Sequence, residues 1–183
     1  MIEGCAEYSD NKKELYEEVV LQLKGLFEDC PHVTANLSNA SAVLNQAMKE
    51  INWVGFYLME KVGATSVNED NSEVQKELLV LGPFQGKPAC VEIPVGRGVC
   101  GTVAQKDEIQ LVKNVHEFPG HIACDSASNS EIVLPIHKEG KVWGVLDIDS
   151  PILGRFDEED RIGLAEVVKL IEEMLIHSGN GLL

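Results

Sequence analysis

Three of the five cysteines, Cys90, Cys100 and Cys124, lie in stretches rich in glycine or flanked by acids: GPFQGKPAC (82–90), GRGVCG (96–101) and GHIACD (120–125). A thiolate can attack an electrophilic sulfur, leave as a sulfenic acid, and be reset when a second thiol condenses with it to a disulfide. One attacker and one resolving thiol suffice, and a third offers a relay. A free cysteine is otherwise a small buried hydrophobe, the reading that suits Cys5 and Cys30 outside these stretches. Zinc is the remaining alternative, because His121-x-x-Cys124 with Cys90 and Cys100 could supply four ligands. No pair has C-x-x-C spacing, however, and the gap from Cys90 to Cys100 is unlike a zinc knuckle, so no resident metal is expected.

Acids form the second group: Asp125, Glu131, Asp147 and Asp149. The last two alternate along LDID (146–149) and must share one face of any strand formed there. Carboxyls that crowd together out of water push at least one pKa upward, leaving a protonated group able to donate and another able to hold an ammonium. A sheet face open to water, or capping of the Ser150-Pro151 loop, would explain the same acids without chemistry. Trp53 and Tyr57, four apart, also share a face, as a wall for a small apolar group or as ordinary core. Gly96-Arg97-Gly98 with Gly101 lacks the lysine and hydroxyl of a phosphate loop and reads as turn and close-packing glycine.

These groups need a scaffold. Apolar positions Leu15, Val19, Leu23, Leu26 and Phe27 predict a helix over residues 11–28, with Asn11 and Glu14 spaced as a capping box. A second helix follows Pro31 through Leu37, Ala40, Val43, Leu44, Ala47, Met48 and Ile51, with Asn36 or Ser38 as its cap. Strands are predicted at 53–59, 78–81, 91–95, 109–112, 131–136 and 142–148, the last two joined by a turn at Glu139-Gly140. Residues 60–77 are polar and acidic and read as a long hairpin loop. Val99 to Gln105 should form a short helix with Cys100 in its first turn. Asn114 to Ser130 reads as loop, and Asp157 caps a final helix whose apolar face runs to Leu175 and which His177 and the glycines at 179 and 181 end. The expected fold is α+β: an antiparallel sheet of about six strands with the N- and C-terminal helices on one face.

At 183 residues one domain, 1–183, is the default. The 15 basic against 30 acidic residues leave a net charge of −15, which repels phosphate backbones and anionic lipid and argues against nucleic-acid binding. No apolar run is long enough for a membrane span, and residues 1–30 do not read as a leader. An odd number of cysteines suits thiols kept reduced in a cytoplasm better than a secreted disulfide framework.

INWVGFYL (51–58), LGPFQGKPAC (81–90), IPVGRGVCGT (93–102), GHIACDSASNSEIVLPI (120–136) and GVLDIDS (144–150) closely resemble the free methionine-R-sulfoxide reductases, which are GAF-domain enzymes. The resemblance runs in register from about Asn36 to about Leu175 and departs from shorter bacterial members mainly at 60–77. It implies reduction of free methionine-R-sulfoxide to methionine, with no bound cofactor and with electrons from the thioredoxin/NADPH system. By motif, it makes Cys124 the nucleophile and Cys90 the resolving thiol, with Cys100 an alternative resolver or relay. Glu131, Asp147 and Asp149 would bind the ammonium group and serve the sulfoxide oxygen. Backbone N–H groups at Ile122, Ala123 and Cys124 would hold the carboxylate, and Trp53 and Tyr57 the methyl end. The resemblance also implies a homodimer. The rival reading is a non-catalytic GAF sensor of a small molecule or oxidant. A sensor would be expected to carry an output domain, and none is expected within these 183 residues.

Overall fold

Alternation of apolar and other residues along the middle strands gives the sheet two different faces, and the helices divide between them. The computed structural model describes residues 8–67, 73–120 and 126–178, with backbone alone over 62–67 and 73–76. The elements are α1 (Lys12–Phe27), α2 (Val33–Ala47), β1 (Trp53–Val67), β2 (Glu73–Gly86), β3 (Glu92–Pro94), α3 (Gly98–Lys106), β4 (Gln110–Val112), β5 (Ser130–Lys138), β6 (Lys141–Ser150) and α4 (Glu158–His177), with a 3-10 turn at Val115–Glu117. The six strands form one sheet in the order β3-β2-β1-β6-β5-β4, every neighbouring pair antiparallel.

One face sends Val54, Phe56 and Leu58 of β1, Leu146 and Ile148 of β6, and Ile132, Leu134 and Ile136 of β5 into a core with the apolar stripes of α1, α2 and α4. The other face carries Trp53, Tyr57, Val133 and Val145 and packs beneath α3. The terminal helices thus share a face as expected, while α3 lies across the opposite one.

Local signals fix most element ends. Asn11 accepts from Glu14 N to start α1, and Asp157 with Asp160 completes a reciprocal capping box on α4. Glu139 (φ 54°) and Gly140 (φ 73°) are both left-handed, the geometry that joins β5 to β6 with two residues.

Two expectations need correction. Helix α2 starts at Val33, not at Asn36 or Ser38, and its N-cap, His32, makes no side-chain cap bond. Asn36 is buried inside the helix, where its Nδ2 donates to the Cys30 carbonyl at 3.0 Å, and Ser38 Oγ donates back to Thr34 O at 2.7 Å. Both polar groups serve backbone carbonyls instead of capping N–H groups. Most of the segment 60–77 is strand, not loop: among the described residues β1 runs on to Val67 and β2 begins at Glu73, paired as far as Val67↔Glu73 with a register shift between Val62 and Ser66. Ladder hydrogen bonds use only the backbone, so a polar segment extends an already registered hairpin without needing an apolar face. Opposite charges at Lys61 and Glu77 face each other across it.

Candidate active site

The α3 face holds the acids. In the antiparallel register Glu131 of β5 lies opposite Asp149 of β6, which lies opposite Trp53 of β1. One row along, Val133, Asp147 and Gly55 are opposite one another, and the next row holds Val145 and Tyr57. Three acids and two aromatics therefore occupy one contiguous patch, because residues two apart share a face and cross-strand partners stand side by side. Gly55 is required at its place: a Cβ there would come within 2.6 Å of the Trp53 ring and 2.4 Å of Phe84 Cβ.

Above the patch, α3 presents Cys100 in its first turn. The helix start sits close against β3, since Arg97 N donates to Pro94 O at 3.0 Å and Gly96 N to Gly101 O at 2.7 Å. Any Cβ on Gly101 would stand 2.4 Å from the Pro94 carbonyl, so only glycine permits the approach that lowers Cys100 onto the acids. The Cys100 thiol donates to Asp147 Oδ2 at 3.2 Å and lies 3.8 Å from Glu131 Oε1.

All three groups are nearly out of water: Cys100 is 4%, Glu131 6% and Asp147 6% exposed. Burial pushes the Glu131 carboxyl well above the usual carboxylate range, and the Asp147 and Asp149 charges push it further. Burial also lifts Asp147 to about 6, restrained by hydrogen bonds from Cys100 and Glu131. The Cys100 thiol is pushed up by burial and by the Asp147 and Glu131 charges. Near neutral pH the cluster holds Glu131 as a protonated donor and Cys100 as a thiol, not a thiolate, around an Asp147 carboxylate. A protonated carboxyl beside an ionised one can donate to a leaving oxygen while also attracting a cationic group.

Trp53 and Tyr57 stack with ring centroids 5.9 Å apart, and Trp53 stacks on Phe84 at 5.4 Å. Their polar atoms tie down the segment leading to Cys90: Trp53 Nε1 donates to Lys87 O at 3.1 Å and Tyr57 Oη to Cys90 O at 3.0 Å. Cys90 itself is disulfide-bonded, whereas Cys30 and Cys100 are free thiols. In this state Cys90 is not a metal ligand.

A cleft of about 540 Å³, counting its open mouth, has Trp53, Tyr57, Cys100, Glu131, Asp147 and Asp149 on its walls. Six of the residues singled out in the sequence are thus brought together, with Cys90 at the end of the segment their aromatics hold. Cys124, Ile122 and Ala123, with His121 and Asp125, lie outside the described residues. The cleft also includes Arg97, Ser128, Pro88, Ala89, Ile93 and Val99. All six lie inside the motifs that carry the resemblance, yet sequence reasoning gives none of them a place in the site; Arg97, between two glycines, reads as part of a turn.

The GAF domain profile matches residues 34–174. The free methionine-R-sulfoxide reductase of Escherichia coli is 47% identical over 165 residues, covering 90% of this chain and 91% of the relative. The crystal structure of free methionine-R-sulfoxide reductase from Neisseria meningitidis, in complex with its substrate, superposes with a TM-score of 0.81 at 42% identity, covering 94% of this chain and 95% of that one. The reduced form of the Staphylococcus aureus reductase superposes with a TM-score of 0.77 at 50% identity, covering 87% of this chain and 94% of that one.

The chain belongs to the free methionine-R-sulfoxide reductases of the GAF-domain family. Within this reductase frame the sheet supplies the acids, α3 supplies a buried thiol, and the turn from β2 to β3 supplies the cysteine already engaged in a disulfide. No helix among the described residues is long and apolar enough to cross a membrane.

Proposed function

We propose that this protein reduces free methionine-R-sulfoxide to methionine by thiol chemistry, with thioredoxin as the final dithiol reductant. The observation that carries the reading is the buried Glu131–Asp147 pair, joined by Asp149 on the same sheet face, in a cleft whose Tyr57 holds the backbone of the disulfide-bonded Cys90. A free amino acid brings an ammonium group for the carboxylates, and its sulfoxide oxygen needs a proton donor as the S–O bond breaks.

In this reading the Cys124 thiolate attacks the sulfoxide sulfur. The oxygen passes to the cysteine as a sulfenic acid with uptake of one proton, and methionine leaves. Cys90 then attacks the sulfenic sulfur, closing a Cys90–Cys124 disulfide and expelling water. Thioredoxin's two thiols return both cysteines to the reduced state, NADPH regenerates thioredoxin, and no bound cofactor is needed. The disulfide at Cys90 supports it as the resolving thiol. Cys100, buried, free and held protonated, is a poor participant in thiol exchange, because the thiolate is the attacking form.

Glu131 donates its proton to the departing oxygen, and Asp147 and Asp149 hold the ammonium group. Trp53 and Tyr57 enclose the methyl end, and backbone N–H groups at Ile122, Ala123 and Cys124 hold the carboxylate. A peptide-bound methionine, whose amine is acylated, lacks the charge these acids would recognise.

The reading includes a cytoplasmic setting that keeps the thiols reducible, a single domain, and a homodimer. Leu21 (73%), Ile176 (72%) and Ile162 (56%), exposed on α1 and α4, support such a pairing; sedimentation at micromolar concentration checks it. The activity is tested in a thioredoxin-coupled NADPH assay, where the R epimer of free methionine sulfoxide should be consumed and the S epimer ignored. Equal turnover of both epimers, or of neither, overturns the reading, and the latter outcome would favour a GAF sensor.

A further inference from the structure

We infer that Cys100, Glu131 and Asp147 form a binding site for a thiophilic divalent cation, Zn²⁺ or Cd²⁺, that overlaps the ground proposed above for the substrate's ammonium group. The cation site stands on geometry alone; only its competition with substrate rests on the reductase reading.

The three side chains come from α3, β5 and β6, and the ligand atoms they offer lie within 4.8 Å of one another. A tetrahedral zinc with Zn–S of about 2.3 Å and Zn–O of about 2.1 Å separates its sulfur and oxygen ligands by about 3.6 Å. The observed separations of 3.2 Å (Cys100 Sγ to Asp147 Oδ2) and 3.8 Å (Cys100 Sγ to Glu131 Oε1) bracket that value. Only small side-chain rotations are needed to admit the ion, and the cleft gives it a path from solvent.

A second observation points the same way. Among the described residues, Asp147 Oδ1 is buried and finds no hydrogen-bond partner, although Asp147 lines the cleft. Such an atom costs free energy unless something occupies its lone pairs. Among the described residues, neither Glu131 nor Asp147 forms an ion pair with a lysine, arginine or histidine, so the local charge is open to a cation.

Binding displaces the Cys100 thiol proton and the Glu131 proton to solvent, forming one metal–sulfur and two metal–oxygen bonds with no change of oxidation state. Affinity therefore rises with pH. A thiolate with two carboxylates selects Zn²⁺ and Cd²⁺ over Mg²⁺ and Ca²⁺, which prefer all-oxygen shells. An occupied site neutralises the acids that would hold the ammonium, making the cation a competitive inhibitor.

Because Cys100 stays free while Cys90 is in a disulfide, the site can be examined in the oxidised protein. In a Cys5→Ser/Cys30→Ser background, titration with Cd²⁺ should give one equivalent bound, an ultraviolet thiolate-to-cadmium absorption, and proton release that millimolar Mg²⁺ does not produce. Cys100→Ser should lose the absorption, and Asp147→Asn should weaken binding by about 10-fold or more, with circular dichroism confirming that each variant is folded. No absorption in the folded parent, absorption that survives Cys100→Ser, or unchanged affinity in Asp147→Asn would each overturn the site. Free methionine should displace the bound Cd²⁺. Cadmium that binds but resists displacement overturns the overlap, and with it the substrate role of these carboxylates, rather than the cation site.

Discussion

Two buried aspartates, on opposite sides of the sheet, are treated in opposite ways. Asp160, in the first turn of α4, is 1% exposed and fully engaged. It accepts from Tyr16 Oη at 2.8 Å, Lys12 Nζ at 2.6 Å, Arg155 Nη1 at 3.2 Å and the Asp157 backbone N–H at 3.0 Å. Asp147 is 6% exposed, meets a thiol and another acid, and leaves one oxygen without a partner among the described residues. A carboxylate buried for the fold is surrounded by cations and donors, whereas one buried for chemistry is left short of them. The shortfall raises its proton affinity and keeps a charge ready for a ligand.

Each prediction presses on that contrast or on the thiols beside it. The largest expected effect is on Cys124→Ser, which should make no methionine even in a single turnover followed by chromatography; product at wild-type yield would remove Cys124 from the attacking role. Next, Glu131→Gln should lower kcat/KM by about 100-fold or more, the size of a lost general acid, while melting as a folded protein. Normal turnover in that variant would leave the cluster without its proposed proton donor.

Cys90→Ser should release one methionine per protein and then stall with thioredoxin. If it recycles at the normal rate, the resolving role passes to Cys100 and the free, protonated state of that thiol needs another account.

On the opposite face, Asp160→Asn should cost about 3 kcal/mol by removing the buried charge that Lys12, Arg155 and Tyr16 share, read as a lower denaturation midpoint, with turnover of the folded fraction preserved. A variant equally stable but inactive would reverse the assignment of roles to the two aspartates.

The smallest effect is a pH dependence. The Asp147 carboxyl, lifted to about 6 in the fold, lies above the unfolded value of about 3.9. Between those values the folded state binds more protons than the unfolded, so this group's contribution to stability falls as pH rises through the window. Asp147→Asn removes that loss. Its stability relative to the parent should climb from pH 4 to pH 6 and then level off; a difference flat across the range would mean that Asp147 does not titrate there.

Much of the arrangement was legible before folding. The alternation in LDID put Asp147 and Asp149 on one face, the spacing of Trp53 and Tyr57 did the same for the aromatics, and Asp157 announced α4. Cys100 falls in the first turn of α3, as its glycine-flanked motif indicated. Other features were hidden for definite reasons. Asn36 looks like a cap in sequence, yet its amide is used on the Cys30 carbonyl. The polar stretch 60–77 looks like loop because its composition says nothing about ladder hydrogen bonds.

Residue types and periodicities are local properties, and they alone determined the element order, the faces of single strands and the set of thiols and acids from which chemistry could be built. Tertiary structure decided which strands became neighbours, so that Glu131, Asp149 and Trp53 form one row across three strands. It also decided which groups lost their water. Desolvation depends on everything packed around a group, and only the descent of α3 onto β5 and β6 turns Cys100, Glu131 and Asp147 from three polar residues into one proton-holding cluster.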